Sequence, residues 1–262
     1  MTMPWSLQAA VLANAPIASG IYRLRLAVPA DLATKAKAGQ FVMIRTGDRH
    51  DPLLRRPFSI HDADRTSWSI LYRLAGQGTA WLSRQSPGQN LAVIGPLGRG
   101  FPLDTPSPPL LVGGGIGVAP LPMLARRFSE RHGAPPEVII GFRTADEVVA
   151  EEAFLRLGCN LTVVTEDGSR GAQGLVTDVL PTAPSEPPFL MLCGPWPMMR
   201  AVARIARERG WQGVASLETT MACGIGACLG CAVPANDPHR TYLHVCQHGP
   251  VLELQAVQWE NR

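Results

Sequence analysis

Four cysteines near the C-terminus constrain this chain more than any other feature of its sequence. Cys223, Cys228, Cys231 and Cys246 follow the spacing C-x4-C-x2-C-x14-C, and glycines lie between the first three. A C-x4-C-x2-C run followed by a distant cysteine is typical of plant-type [2Fe–2S] sites. Structural zinc sites more often carry two C-x2-C pairs. The spacing therefore favours an iron–sulfur cluster, with zinc and unliganded cysteines as the alternatives.

The other two cysteines, Cys159 and Cys193, stand alone, and a disulfide scaffold is not expected. Disulfide-rich chains are usually small and secreted, whereas this chain has 262 residues and no basic residue before Arg23 to mark a secretory signal. No apolar run approaches the roughly 20 residues that span a bilayer. We therefore expect a cytoplasmic protein that does not enter a membrane.

Composition and charge exclude some classes of partner. Hydrophobic residues make up 46% of the chain and charged residues 17%, which is enough apolar material for folded cores. The net charge is only +3, without a block of five or more like charges. A polyelectrolyte site for nucleic acid or a polybasic membrane anchor would need a stronger basic bias.

The first part of the chain reads as β structure. Short runs rich in β-branched and aliphatic residues are interrupted by glycine and proline, which is the pattern of a small antiparallel barrel. The expected strands include 20–28, 39–45, 68–74 and 91–98. Residues 1–103 are therefore predicted to form a β-barrel domain, and the proline-rich stretch 102–109 is predicted to be a linker.

The second part alternates strands with helices, which predicts a doubly wound parallel sheet over residues 104–214. Strands are expected at 110–114, 137–142, 160–167, 188–194 and 214–219, and helices up to Arg131 and at 150–157, 174–180 and 197–210. The remaining segment is rich in glycine and cysteine. We expect residues 215–262 to form a third, small [2Fe–2S] domain.

Within the predicted barrel, the motif RRPFSI at 55–60 suits a flavin nucleotide. Arg56 can pair with a pyrophosphate, Phe58 can pack on the cofactor, and Ser59 can bond the isoalloxazine ring. Alone, the motif is only a strand with an arginine. It is followed by two glycine-rich turns, AGQGTAWL at 75–82 and GPLGRGF at 95–101. Three such motifs in one barrel favour flavin, with Thr79 expected at a helix start where amides suit phosphate.

Two motifs of the predicted sheet suit a dinucleotide. LLVGGGIGVAPLPML at 110–124 reads as a strand, a glycine-rich turn and a helix, and CGPWPMM at 193–199 begins where a central strand ends. Both are weak alone, because tight strand–helix turns need glycine in any case. No acidic residue lies at the expected ribose position. Arg143 follows the second strand and either meets a 2′-phosphate or is solvated, so NAD and NADP both stay open.

The histidines form no ligand pair at helical spacing and no nucleophile dyad. We expect them at the surface or in loops: His50, His61, His132, His239, His244 and His248.

The order of the motifs carries more information than any one of them. R-x-F-S, G-x-G-T, GGGIG-x-AP and CGP follow one another as in the ferredoxin–NADP reductase superfamily, over residues 8–213. With the C-terminal LETTMACGIGACLGCAVP and VCQHGPV, the chain resembles the family of electron-transfer subunits of NAD-dependent, two-subunit dihydroorotate dehydrogenases. The segment 164–180 is also similar to that family. Gln247–His248 and Phe58 depart from its usual residues; neither departure is expected to change the essential contacts with the cofactors, but either could shift the reduction potential or the fit to a partner.

The resemblance implies three cofactor sites and a partner. FAD would be bound by Arg56, Pro57, Phe58, Ser59, Leu71, Tyr72, Arg73, Gly78 and Thr79. NAD would lie over Gly113, Gly114, Gly115, Ile116 and Gly117, near Cys193, Gly194 and Pro195. The partner would be an FMN-containing catalytic subunit in a heterotetramer with two of each chain. No residue of this chain is expected to be a catalytic acid or base.

The carriers suggest an order for the electrons. Hydride moves two electrons and a [2Fe–2S] cluster carries one, so a flavin that handles both must lie between nucleotide and cluster. The resemblance implies that electrons pass from dihydroorotate through the partner's FMN, the cluster and FAD to NAD⁺. One alternative is a related reductase subunit of a sulfide dehydrogenase, a transhydrogenase or a hydrogenase. The other is a zinc-stabilised binding module without redox activity.

Overall fold

Six antiparallel strands close into a barrel in the first part of the chain. The structure is a computed structural model, and it describes residues 6–47 and 52–260. The strands are β1 (Ser6–Ala18), β2 (Ile21–Ala27), β3 (Phe41–Ile44), β4 (Arg56–Ala63), β5 (Ser67–Arg73) and β6 (Asn90–Leu97), with the short helices α1 (Ala30–Ala33) and α2 (Gln77–Ser83). Their order around the barrel is β1-β2-β5-β4-β3-β6. The predicted barrel is confirmed.

Alternation along the strands fills the barrel. In β6, Leu91 and Val93 are buried while Ala92 and Ile94 are only half-buried. Since successive side chains of a strand point to opposite faces, the buried set faces the barrel interior. This alternation is also why the sequence located most barrel strands to within about two residues.

The second part of the chain forms a seven-stranded sheet. Its elements, and those of the C-terminal segment, are β7 (Pro109–Gly114), α3 (Leu121–His132), β8 (Glu137–Phe142), α4 (Glu151–Arg156), β9 (Leu161–Thr165), β10 (Ala172–Gln173), β11 (Phe189–Cys193), α5 (Trp196–Arg209), β12 (Gly213–Ser216), β13 (Ala232–Asp237), β14 (Arg240–His244), α6 (Val245–His248) and β15 (Val251–Glu253). The strand order is β10-β9-β8-β7-β11-β12-β15, and β13 pairs with β14 separately. All pairs of the sheet are parallel except β12 with β15.

Helices cover the sheet on both faces. Leu111 of β7 and Ile140 of β8 belong to the apolar cluster that contains α3 and α4. Val112 and Ile139, their neighbours in the sequence, belong to the cluster that contains α5. Strands buried on both sides are apolar without interruption, as expected for a parallel sheet between two helical layers. The doubly wound architecture is confirmed.

The structure corrects two expectations at the edges of this sheet. Residues 174–180 were expected to be helical but contain only one 3₁₀ turn, Val176–Val179. Gly171 and Gly174, both with positive φ, precede the turn, and Pro181 follows it, so a longer helix has no room. The strand expected at 214–219 is present as the shorter β12, but it is not the last strand of the sheet, because Val251–Glu253 returns and pairs with it as β15.

The C-terminal segment is therefore joined to the preceding sheet in two ways: by the continuous backbone after β12, and by the pairing of β15 with β12. The proposed divisions at 103/104 and 214/215 stay predictions. Within the described residues, no helix combines the length and apolarity needed to cross a membrane.

Candidate cofactor sites

A cavity of about 1070 Å³ lies where the barrel meets the carboxyl edge of the sheet. Most of the predicted cofactor residues border it. From the barrel these are Arg56, Pro57, Phe58, Ser59, Leu71, Tyr72, Arg73 and Thr79, and from the sheet Ile116, Gly117, Cys193, Gly194 and Pro195. Carboxyl edges of parallel strands are where ligands bind in α/β sheets. The cavity thus joins the two predicted nucleotide sites into one space.

Aromatic rings are fixed on the barrel side of the cavity. The rings of Phe58 and Tyr72 meet edge to face with centroids 6.0 Å apart, and Tyr72 stacks on Tyr22 at 5.5 Å. The Tyr72 hydroxyl donates to Asn14 Oδ1 at 2.9 Å. Burial raises the pKa of Tyr72 to about 12, so its hydroxyl stays protonated. These contacts hold both rings in place for a planar ligand.

Arg56 and Thr79 lie at the polar end of the barrel side. Arg56 Nη1 donates to the carbonyl of Leu54 at 2.7 Å. Thr79 is in the first turn of α2. Its hydroxyl oxygen accepts hydrogen bonds from the backbone amides of Ala75 and Gly76, at N–O distances of 2.9 and 3.1 Å. The predicted helix start is confirmed. The Thr79 hydroxyl shapes the turn that precedes it.

Gly78 does not border the cavity. A Cβ at Gly78 would lie 2.7 Å from Thr46 Oγ1, a fully buried hydroxyl. The glycine therefore permits α2 to pack closely on the chain after β3. A direct contact of Gly78 with a cofactor stays a prediction.

The glycine-rich turn after β7 packs against the turn after β11. A Cβ at Gly113 would meet Leu121, one at Gly114 would lie 3.0 Å from Pro195 Cδ, and one at Gly117 would lie 2.5 Å from Gly194 Cα. Gly113 and Gly114 thus serve close packing and do not border the cavity. Gly115 also lies outside the cavity lining, with φ of +51° and open space around it, and begins the 3₁₀ turn Gly115–Val118.

Cys193 contributes a neutral group to the cavity. It is the last residue of β11 and is only 6% exposed. Burial raises the pKa of its thiol to about 12, against a smaller opposing effect of the Ser216 side chain. At neutral pH the thiol is therefore protonated and a poor nucleophile.

One wall of the cavity consists of residues that were not predicted as site residues. The segment that follows β12 borders it through Ser216, Leu217, Glu218, Thr219, Thr220 and Met221, directly before the cysteine loop. The sequence did carry a signal for this wall. The parallel strand predicted at 214–219 must end at the same edge of the sheet as the strand that ends at Cys193. The register pairs Cys193 with Ser216.

His61 was expected at the surface or in a loop, and this was wrong. It lies in β4, and its Nδ1 is 2.6 Å from the carbonyl oxygen of Ala119, just after the glycine-rich turn. Burial lowers the pKa of His61, which favours the neutral ring. His61 thus ties the barrel to the sheet. His50 lies outside the described residues.

The four C-terminal cysteines lie in two pairs. Cys231 and Cys246 are buried with sulfur atoms 3.2 Å apart, and the amide of Cys228 donates to Cys223 Sγ at 3.4 Å. Among the described residues, no three cysteine, histidine or acidic side chains share one ion-sized centre. Each iron of a [2Fe–2S] cluster takes two protein ligands, so two pairs match it better than a single tetrahedral zinc ion.

Backbone amides point at the sulfur atoms of this loop. Ile225 N is 3.4 Å from Cys223 Sγ, and Gly226 N is 3.2 Å from Cys246 Sγ. Burial raises the pKa of Cys223, but the amides of Ile225 and Cys228 outweigh burial and the net value is about 6. Amides directed at sulfur stabilise thiolates and tune the potential of an iron–sulfur centre.

The barrel, the doubly wound sheet and the cysteine loop together define a reductase of the ferredoxin–NADP reductase fold. Residues 218–258 match the model of the iron–sulfur cluster binding domain of dihydroorotate dehydrogenase B, and residues 111–204 match that of the oxidoreductase NAD-binding domain. The chain is similar, with a TM-score of 0.84, to the solved structure of an NADH-dependent reduced ferredoxin-NADP oxidoreductase. That structure comes from a study of flavin-based electron bifurcation. It shares 26% identity, and the match covers 96% of this chain and 90% of that chain.

Curated relatives narrow the class to one family. The dihydroorotate dehydrogenase B (NAD(+)) electron transfer subunit of Lysinibacillus sphaericus is 40% identical over 253 residues, covering 94% of this chain and 96% of the relative. The Bacillus caldolyticus protein of the same name is 43% identical over 224 residues, covering 84% and 86%. The chain belongs to the family of dihydroorotate dehydrogenase B (NAD(+)) electron transfer subunits. It is thus an oxidoreductase component, its family name implies a catalytic partner subunit, and the predicted family and fold are confirmed.

Proposed function

We propose that this chain carries electrons from an FMN-containing dihydroorotate dehydrogenase subunit, through one [2Fe–2S] cluster and FAD, to NAD⁺ in pyrimidine (UMP) biosynthesis. One observation carries the proposal. Strands β4 and β5, the edge at Cys193–Pro195 and the segment leading to the cysteine loop border a single cavity. A flavin in this cavity would lie between a nucleotide and a cluster, as the change from two-electron to one-electron transfer requires.

The residues present fit FAD. The cavity volume of about 1070 Å³ is at the upper end of ordinary ligand sites, as a large cofactor needs. Arg56 would offset pyrophosphate charge, the Ser59 hydroxyl would bond the isoalloxazine ring, and Phe58 and Tyr72 would pack beside it. When bound, FAD supplies hydride transfer with the nicotinamide and single-electron transfer with the cluster.

The sheet side fits a nicotinamide dinucleotide. The amides of the turn Gly115–Val118 would bond the pyrophosphate, with Ile116 and Gly117 reaching the cavity. Gly194, Pro195 and the protonated Cys193 thiol would border the nicotinamide. These groups would orient the nicotinamide ring and exclude water. Because they are neutral, they would take no part in proton transfer.

The cysteine loop fits the cluster. Cys223 with Cys228 would hold one iron and Cys231 with Cys246 the other. The loop amides that already point at sulfur would stabilise the added negative charge of the reduced state.

Family membership supports a partner, and we propose a heterotetramer with two FMN-containing catalytic subunits and two copies of this chain in the cytoplasm. In this proposal the barrel binds flavin, the parallel sheet binds the dinucleotide and the cysteine loop binds the cluster. The oxidation of dihydroorotate is therefore assigned to the partner subunit.

The test uses the purified chain with and without its partner. We expect flavin peaks, a broad visible iron–sulfur band, NADH oxidation with ferricyanide, and no dihydroorotate turnover. Co-expression with the FMN-containing subunit should restore dihydroorotate-dependent NAD⁺ reduction. A colourless protein, or dihydroorotate oxidation by this chain alone, would contradict the proposal.

A second candidate is a reductase subunit that serves another redox partner. The TM-score of 0.84 to the NADH-dependent ferredoxin-NADP oxidoreductase structure favours it. Co-purification separates the two candidates. Recovery of a dihydroorotate-oxidising FMN protein supports the first, and recovery of a different redox enzyme supports the second.

A further inference from the structure

Glu147 binds two arginines where the barrel meets the sheet. Its Oε1 accepts Arg73 Nη1 at 3.1 Å and Arg143 Nη2 at 2.5 Å, and its Oε2 accepts Arg73 Nη2 at 3.1 Å and Arg143 Nε at 3.5 Å. The Glu147 side chain is only 13% exposed. Since a carboxylate has about four lone-pair sites, these two arginines occupy its acceptor capacity. Arg143 is therefore already bound to a carboxylate.

This group follows the strand beside the glycine-rich turn, where a dinucleotide bound to the sheet would present its adenosine ribose. Arg143 directly follows β8, and β8 pairs with β7, whose end forms the glycine-rich turn. In sheets of this kind, the group after the neighbouring strand meets the ribose, with an acid for the 2′-hydroxyl or an arginine for a 2′-phosphate. No acidic residue lies at the usual spacing in the sequence. The fold brings Glu147 there from a later position.

A second carboxylate reinforces the first. Glu166 follows β9, and its amide donates to the carbonyl of Phe142 at 3.1 Å. The side-chain hydrogen bond with Glu147 is the main cause that raises the pKa of Arg143, and the charge of Glu166 adds to it. A 2′-phosphate carries between one and two negative charges at neutral pH. It would compete with Glu147 for Arg143 and be repelled by both carboxylates, whereas a neutral 2′-hydroxyl would not.

We propose that Glu147 makes this chain select NAD(H) over NADP(H), by holding Arg143 and placing a negative charge beside the ribose 2′ position. The inference rests on the proposed function in one respect, that the sheet binds a nicotinamide dinucleotide.

The test measures binding of the adenosine half alone, without any redox step. Isothermal titration of the purified cofactor-loaded chain with 5′-AMP and with 2′,5′-ADP compares the two ribose forms directly. In Glu147→Gln, the affinity for 2′,5′-ADP should rise about tenfold or more, because Arg143 becomes available for a charged hydrogen bond. The affinity for 5′-AMP should change less than about threefold. The ratio of kcat/KM for NADPH to that for NADH, with ferricyanide, should shift in the same direction.

Three further variants isolate the cause. Asp146→Asn removes a neighbouring carboxylate from the 3₁₀ turn Ala145–Glu147 without releasing Arg143, and should leave the ratio of the two affinities unchanged. The double variant Glu147→Gln/Arg143→Ala should lose the gain for 2′,5′-ADP. Glu166→Gln keeps the Arg73–Glu147 contact, so it tests the charge effect even if Glu147→Gln does not fold, and should give a smaller gain.

The outcomes separate this inference from the function on which it rests. An unchanged preference in both Glu147→Gln and Glu166→Gln, or an equal gain in Asp146→Asn, overturns the role of Glu147 while NADH binding by the wild type stands. A wild type that binds neither 5′-AMP nor NADH contradicts the proposed function itself, and the inference with it.

Discussion

Arg55 and Arg56 are adjacent in the sequence, yet their guanidinium groups have different surroundings. Arg55 Nη1 donates to the carbonyl of Ala92 in β6 at 2.5 Å, while Arg56 borders the cavity between barrel and sheet. Burial, and then the nearby charge of Arg45, lower the pKa of Arg55. Arg55 thus has a structural contact within the barrel, and Arg56 is the one placed to meet a ligand.

The two arginines should therefore differ in their effect on FAD. Arg56→Ala should weaken FAD binding by about tenfold to several hundredfold, because a charged, bidentate partner of the pyrophosphate is lost. Arg55→Ala should lower the thermal midpoint but leave FAD affinity within about threefold. FAD retention after gel filtration, with the thermal midpoint of each variant, measures both effects. Equal loss of FAD, or greater loss in Arg55→Ala, would show that the wrong arginine is assigned.

The cysteine pairs predict which substitutions remove the cluster. Serine at Cys223, Cys228, Cys231 or Cys246 should each bleach the visible iron–sulfur band and lower the iron content, because each pair would hold one iron. FAD should remain bound, since none of the four borders the flavin cavity. Cys159→Ser is the control, a buried cysteine outside the loop, and should keep its iron. Full iron content in all four loop variants would refute the assignment, and zinc in place of iron would support the alternative metal.

Local patterns made much of this fold predictable. The end of α5 at Gly210 in a left-handed conformation and the start of the helix that carries Thr79 both follow from residue types at fixed offsets. The order of the motifs located most of the cavity wall. In each case the determining residues are neighbours in the sequence.

What the sequence did not predict depends on distant contacts. β15 has only three residues and forms because β12 offers an edge to pair with. Glu147 accepts hydrogen bonds both from Arg73, which is 74 residues away in the barrel, and from Arg143 after a strand of the sheet. His61 is paired with Ala119 across the same boundary. Apart from the four-residue spacing of Arg143 and Glu147, none of these relationships leaves a periodic or spaced signal in one stretch of chain.

Gly117 should be intolerant of any side chain. A Cβ there would lie 2.5 Å from Gly194 Cα and 2.6 Å from Gly194 N, and backbone atoms cannot move away without separating the two turns. We expect Gly117→Ala to lower stability by about 1–3 kcal/mol and to raise the KM for NADH several-fold. Gly210→Ala is the matched control, because its φ of +68° makes alanine costly by about 1 kcal/mol in open space outside the cavity. A raised KM in the control, or none in Gly117→Ala, would contradict the role of the turn.

Glu147 should also make stability depend on pH. Hydrogen bonds from Arg143 and then Arg73 hold the pKa of Glu147 below its ordinary value of 4.5. A carboxyl group with a lower pKa in the folded chain stabilises the fold above its unfolded pKa, and the contribution is lost as pH falls through the folded value.

At pH 7, Glu147→Gln should therefore lower the thermal midpoint by about 2–6 °C, which corresponds to about 1–2 kcal/mol for a partly buried charged pair. The difference from wild type should shrink as pH falls below 4.5, where the carboxyl of the unfolded chain begins to bind a proton, and should vanish once pH falls through the lowered pKa of Glu147 in the folded chain. Glu152→Gln is the control, because its contact with Arg156 is exposed and should change the midpoint little at any pH. A difference between Glu147→Gln and wild type that stays constant from pH 7 to pH 3 would show that the two arginines do not act through the charge of Glu147.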